Sequence, residues 1–241
     1  MGEDMAEEFL ALMDGVHARL RVMWPNGREA ECCENDGSHF ALLEHSRPVS
    51  LGQVEARLMY NLVVRMNAMR VFEVGTGFGY SSFWLGAAVK RLHGSSGWVG
   101  SIDNQSEGSV GADAQLFAVE NASRLGLAET NHYFLGTSPR DIERFLSGTV
   151  NIAFIDGNHR DSQPSEDYIG LRPFLEVSSA LVWHDVQSQY DVCDGISMAI
   201  RDGWSPVVFP TSCRLCVCYK DYAVWEAALH SFSTAAALRL F

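Results

Sequence analysis

Val71-Phe72-Glu73-Val74-Gly75-Thr76-Gly77-Phe78-Gly79 is the stretch that decides the fold of this chain. An apolar strand ends in an acid, and glycines follow at alternate positions in the turn. Glycine admits backbone conformations closed to other residues and lets a ligand approach the main chain. A helical pattern begins at once, with Tyr80, Phe83, Trp84, Ala87, Ala88 and Leu92 on one face. A strand that passes through such a turn into a helix N-terminus is where nucleotide-like groups bind in open α/β sheets.

Downstream, strands are expected at 98–103, 132–135, 151–156 and 180–185, separated by helices near 112–125, 139–146 and 165–175. A helix near 195–202 leads to two strands, 207–209 and 215–219, and a C-terminal helix. The link Pro210-Thr211-Ser212 is too short for a helical crossover, so these two strands are expected to be antiparallel neighbours. The alternation implies an α/β, doubly wound, mostly parallel seven-stranded sheet with an antiparallel last strand. Upstream, a helix over 3–22 stops at Trp24-Pro25-Asn26-Gly27, and a polar loop runs over 26–48. A second helix carries Val54, Leu58, Met59, Leu62, Val63 and Met66. The expected organisation is a helical N-terminal extension or lid over 1–50 and one sheet domain over 51–241.

Eighteen basic against 30 acidic residues give a net charge of -12, which disfavours nucleic acid and anionic membrane as partners. The start of the chain lacks the pattern of a signal peptide, and no run is long enough to span a membrane, so a cytoplasmic setting is expected. Of the six cysteines, Cys32, Cys33, Cys193, Cys213, Cys216 and Cys218, the Cys213–Cys216 pair has metal or redox spacing. It opens a strand and no second pair faces it, so buried structural thiols are expected there.

Four strands end in informative residues at one edge: Glu73, Asp103, Asp156 and His184-Asp185. Buried acids need partners, and their recurrence along one edge argues for a site. A carboxylate at Glu73 repels a pyrophosphate but suits a cofactor with an amino group and a sulfonium, which describes S-adenosylmethionine (SAM) better than NAD. Asp103 stands 28 residues beyond Gly75 (75 to 103), later than the interval of about 20 in NAD sites.

Phe72-Glu73-Val74-Gly75-Thr76-Gly77-Phe78-Gly79-Tyr80-Ser81, Ile102-Asp103, Phe154-Ile155-Asp156-Gly157-Asn158-His159 and Trp183-His184-Asp185 together resemble the class I SAM-dependent methyltransferases. The nearer resemblance is to the small-molecule O-methyltransferases related to the macrocin and mycinamicin sugar methyltransferases and to a cephalosporin-pathway protein of similar fold. It runs from about Gly52 to Tyr219. The resemblance implies a Rossmann-like methyltransferase fold and a cofactor site made of Glu73, Gly75, Thr76, Gly77, Tyr80, Ser81, Asp103, Thr137, Ser138 and Asp156. Glu73 would recognise the amino group of the methionine moiety, directly or through water. Asp103 would accept from the ribose hydroxyls. Thr137 and Ser138 would border the adenine, with Thr137 standing where the family often has an acid.

The resemblance further implies a divalent metal held by Asp156, His184 and Asp185, with His159 as general base and Asp156 also catalytic. His184 is a departure, since the sugar methyltransferases carry an acid there. One imidazole with two carboxylates suits magnesium and also admits manganese, iron or zinc. The implied activity is methyl transfer from SAM to a hydroxyl of a small molecule, in secondary metabolism; the oligomeric state is left open, with a homodimer or higher homo-oligomer among the options. Metal-free transfer to nitrogen or carbon is the alternative, followed by an NAD-dependent dehydrogenase and a non-catalytic binding protein. His17, His39, His45 and His132 are expected to be structural or on the surface, and Trp24, Phe40, Trp183 and Tyr190 to be chiefly core, with an acceptor pocket as their other use.

Overall fold

The computed structural model describes residues 51–105, 113–187, 190–211 and 213–237. The extension expected over 1–50 lies outside the described residues, and with it the expected helix over 3–22, Cys32, Cys33, His17, His39, His45, Trp24 and Phe40.

Seven strands form one sheet: β1 (Arg70–Val74), β2 (Trp98–Asp103), β3 (Asn131–Leu135), β4 (Val150–Ile155), β5 (Leu175–Trp183), β6 (Ser205–Phe209) and β7 (Leu215–Tyr219). Their order is β3-β2-β1-β4-β5-β7-β6. The pairs of β1 to β5 are parallel, and β7 runs antiparallel to both β5 and β6, as the short link requires. The helices are α1 (Gln53–Arg65), α2 (Tyr80–His93), α3 (Asp113–Arg124), α4 (Ile142–Phe145), α5 (Gln163–Leu171), α6 (Val192–Arg201) and α7 (Tyr222–Ala237).

Side chains alternate across a strand. Val71, Val99, Ile152, Phe154, Ala180, Val182 and Val217 meet α1, α2, α3 and α7 in one core. Phe72, Ile102, Ala153, Ile155, Leu181, Trp183 and Cys216 meet α4, α5 and α6 in the other. The same alternation puts Glu73, Ser101, Asp156 and His184 on the α1 and α2 side. The winding of the sheet reverses between the parallel strands β1 and β4, with β2 and β3 on one side and β5 on the other, so the C-terminal ends of these two central strands open a crevice.

Several element boundaries shift from the sequence expectation, three of them with a clear physical cause. β5 starts at Leu175 rather than 180, because its first residues are exposed and carry no core pattern. The helix expected over 139–146 shortens to α4, because the Asp141 carboxylate accepts the Thr137 backbone N–H at 2.8 Å and closes a turn first. The helix expected to reach 175 gives way after Leu171 to a 3-10 turn, Arg172–Phe174, where Pro173 supplies no N–H. No helix among the described residues is long and apolar enough to cross a membrane.

Cys213, Cys216 and Cys218 are buried and unpaired by disulfide, while Cys193 is exposed. The Cys218 thiol 3.8 Å away and burial push the Cys216 thiol well above the ordinary range. A thiol so far from ionising is neither a good metal ligand nor a nucleophile.

Candidate active site

A cavity of about 440 Å³ opens at the β1/β4 crevice, a size ordinary for a small-molecule site. Its floor is the glycine turn. Gly75 takes φ +97, and a Cβ there would lie 2.1 Å from the Asp156 carbonyl oxygen, so no other residue fits between β1 and the end of β4. Gly79 takes φ +82 at the start of α2, with Ala118 Cβ 2.8 Å from where its own would be. Gly77 donates its backbone N–H to Asp103 Oδ2 at 2.9 Å, which ties the turn to the end of β2. Asp103 Oδ1 accepts from the Gln105 N–H at 2.6 Å. Each carboxylate oxygen retains a second lone pair.

Of the sequence-predicted cofactor residues, Gly75, Thr76, Gly77, Tyr80, Ser81, Asp103, Ser138 and Asp156 line this cavity. Glu73 does not. It is fully buried beneath the turn and accepts hydrogen bonds from Ser81 Oγ and from Ser101 Oγ at 2.6 Å. Thr76 and Ser101 hydroxyls meet at 2.6 Å above it. Glu73 therefore faces the cavity through Ser81 and Thr76 rather than directly. Burial pushes its carboxyl up to about 8, against the pull of the two serine hydroxyls and with Asp156 and Asp103 adding to the rise. Thr137 also lies off the cavity: its hydroxyl accepts from Arg140 Nη2 at 3.4 Å, so Ser138 alone borders the cavity from this loop.

Sequence reasoning passed over Asp167, which reads as an ordinary helix acid. It is fully buried on α5, and Oδ1 accepts from Ser138 Oγ at 2.6 Å and Gln163 Nε2 at 2.7 Å. Its Oδ2 is buried without a hydrogen bond at the cavity wall. Burial raises this carboxyl to about 6, against the two donors.

Asp156, His159, His184 and Asp185 converge on the same cavity. His184 Nδ1 lies 2.9 Å from Asp156 Oδ1 and 3.5 Å from Asp185 Oδ2. His159 Nε2 lies 3.4 Å from Asp156 Oδ1 without an aligned hydrogen bond, and its Nδ1 lies 3.2 Å from Asp185 Oδ2. The Tyr190 ring sits 5.1 Å from that of His159, on the cavity wall. Asp185 takes φ +55, a conformation that costs a non-glycine residue free energy and clusters at functional sites. Burial pulls His184 down, but Asp156, Asp185 and Glu55 outweigh it and raise the ring well above its usual value. Burial alone would raise Asp156; the His184 charge and the His159 and His184 contacts hold it at about 2. Burial likewise opposes His159, and Asp156 and Asp185 raise it.

One ligand atom from each of Asp156, His184 and Asp185 lies within 4.8 Å of the others. Neighbouring ligands around a small divalent ion with bonds of about 2.1 Å lie roughly 3 Å apart, close to the spacing of the His184 nitrogen and the Asp156 oxygen. The donor set and its spacing thus fit such an ion. The sequence alone joined these residues only through the resemblance; the structure joins them by distance.

Residues 72–186 match the family model for a methyltransferase domain. No curated protein matches the chain. Among solved structures, the O-methyltransferase from Bacillus cereus in complex with SAH is 16% identical over 71% of this chain and 83% of that one, with a TM-score of 0.57. The SAH-bound Podospora anserina methyltransferase PaMTH1 is 11% identical over 91% and 96%, with a TM-score of 0.59. The O-methyltransferase TomG from Streptomyces achromogenes, involved in tomaymycin synthesis and solved with SAM, is 15% identical over 72% and 82%, at 0.56. At such identities the likeness is one of fold. Strand order and glycine turn agree with the match over residues 72–186, and the fold is the Rossmann-like methyltransferase fold.

Proposed function

We propose that the protein transfers a methyl group from SAM to a hydroxyl of a small molecule. The observation that carries this reading is one cavity lined both by the glycine turn and Asp103 and by the cluster of Asp156, His159, His184 and Asp185. The first group suits the donor and the second the acceptor. Transfer breaks the sulfonium carbon–sulfur bond, forms a carbon–oxygen bond and releases one proton from the acceptor hydroxyl. A hydroxyl is a weak nucleophile until that proton is taken. His159, which lines the cavity and whose buried Nε2 stands beside Asp156 without a hydrogen bond, receives it.

Asp156, His184 and Asp185 would hold a divalent cation, which when bound would lower the pKa of an acceptor hydroxyl and would favour an acceptor with two neighbouring oxygens. Magnesium or manganese suits the two carboxylates. Asp103 accepts from a ribose diol, the Ser81 and Thr76 hydroxyls in front of Glu73 face the methionine amino group, and Ser138 borders the adenine. The acceptor is then a vicinal diol or catechol, such as a hydroxylated sugar or phenol. The N-terminal 50 residues are the candidate lid and subunit contact.

The test is transfer of isotope-labelled methyl from SAM to a panel of catechols and sugars, with and without chelator. Expected is transfer to hydroxyl oxygen that is lost with chelator and restored by magnesium or manganese. Asp156→Asn or His159→Ala should lower turnover by about 100-fold or more while SAH still binds. Unchanged turnover in both variants contradicts the assignment of these residues. Transfer to nitrogen or carbon that survives the chelator supports the metal-free alternative.

A further inference from the structure

Glu55 is a carboxylate without solvent exposure in the first turn of α1, and no step above uses it. Its two oxygens are held from three directions. Oε1 accepts the Cys213 backbone N–H at 2.9 Å, from the loop before β7. Oε2 accepts the Gly52 N–H at 2.8 Å and lies 3.2 Å from His184 Nε2. The other ring nitrogen of His184 faces Asp156 and Asp185. Glu55 and His184 are 129 residues apart in sequence, so this contact exists only because the fold sets the first turn of α1 beside the end of β5 and the loop before β7.

We infer that Glu55 is a positioning residue: it takes the Nε2–H of His184 so that the Nδ1 lone pair points at the corner formed by Asp156 and Asp185. This rests on the metal reading above and names what makes a histidine workable in that ligand set. A ring that binds a cation gives up its extra proton and carries one N–H, and which nitrogen bears it follows from the partner of each. Left alone beside two carboxylates, His184 would put its proton on Nδ1 and donate it to Asp156, leaving no lone pair for a cation. A buried acceptor at Nε2 reverses that choice. Ligand histidines commonly donate their second N–H to a carboxylate in this way. The anchoring is stiff, because two backbone N–H groups fix Glu55 before His184 reaches it. A plain helix cap would need only the Gly52 contact and would not need to face a ring on the cavity wall.

The experiment is calorimetric titration of manganese alone into wild-type protein, Glu55→Gln, Glu55→Asp, His184→Asn and the Glu55→Gln/His184→Asn double variant, with SAH binding as the check of fold. An amide has one acceptor oxygen for positions that need two, and aspartate keeps the charge but falls short by one methylene. Expected is a loss of manganese affinity of about 10–100-fold in either Glu55 variant. In the His184→Asn background, Glu55→Gln should cost nothing further. Wild-type affinity in folded Glu55 variants, or an equal loss in both backgrounds, overturns the inference while leaving the metal reading standing. Failure of wild-type protein to bind manganese overturns both. Nitrogen-15 spectra of the wild-type His184 ring with magnesium need no variant: a proton on Nε2 supports the inference, and a proton on Nδ1 overturns it.

Discussion

Glu73 folds with its carboxyl sealed from water, which makes stability depend on pH in a definite direction. Its folded value of about 8 lies above the ordinary value of 4.5, so between these the folded chain holds a proton that the unfolded chain has lost. The contribution is intact below about 4.5, and stability falls as pH rises through 8, by up to about 1.4 kcal/mol per pH unit. Glu73→Gln cannot ionise and should flatten that part of the profile, as chemical denaturation between pH 5 and 9 would reveal; an unchanged slope contradicts the burial cost. The sequence made Glu73 legible as an acid beside a cationic ligand, but not its seclusion behind Ser81 and Thr76, which depends on how β2 and α2 close over it. Ser138 and Thr137 were equally legible, and only the turn held by Asp141 decides which one borders the cavity. Glu55 and Asp167 were illegible, because an acid in an amphipathic helix normally marks the solvated face and both point inward here.

At the scale of elements, strands with period-two burial were legible, and their ends were less so. β2 runs over Trp98–Asp103 as expected, since its apolar run is bounded by a glycine and an acid. The first turns of β5 gave no signal because Val177 is 63% exposed. One strand glycine has a plain mechanical task. A Cβ on Gly100 would lie 2.2 Å from Trp98 Cη2 and 3.0 Å from Phe72 Cδ2. The Trp98 ring stacks with Phe72 and His132 at 6.1 and 6.0 Å, and Arg70 lies over it at 4.7 Å. Gly100→Val should therefore cost about 1–3 kcal/mol by overpacking and lower the melting temperature by several degrees, measurable by calorimetry. A melting temperature equal to wild type would show that the stack gives way freely.

For the whole molecule, topology does the assembling. Residues 73, 103, 156 and 184 are far apart in sequence, yet the reversal between β1 and β4 gathers their strand ends on one rim. Alternation was readable strand by strand, and so the rim was foreseeable. The link from α1 to His184 was not, because it needs the packing of helix on sheet and the path of the loop before β7. Calorimetric titration of SAH into wild-type protein and Asp103→Ala tests the reading at its base. Expected is one SAH per chain, with affinity about 10–100-fold weaker in the variant, which loses charge-assisted hydrogen bonds. Folded wild-type protein that takes up no SAH would contradict it.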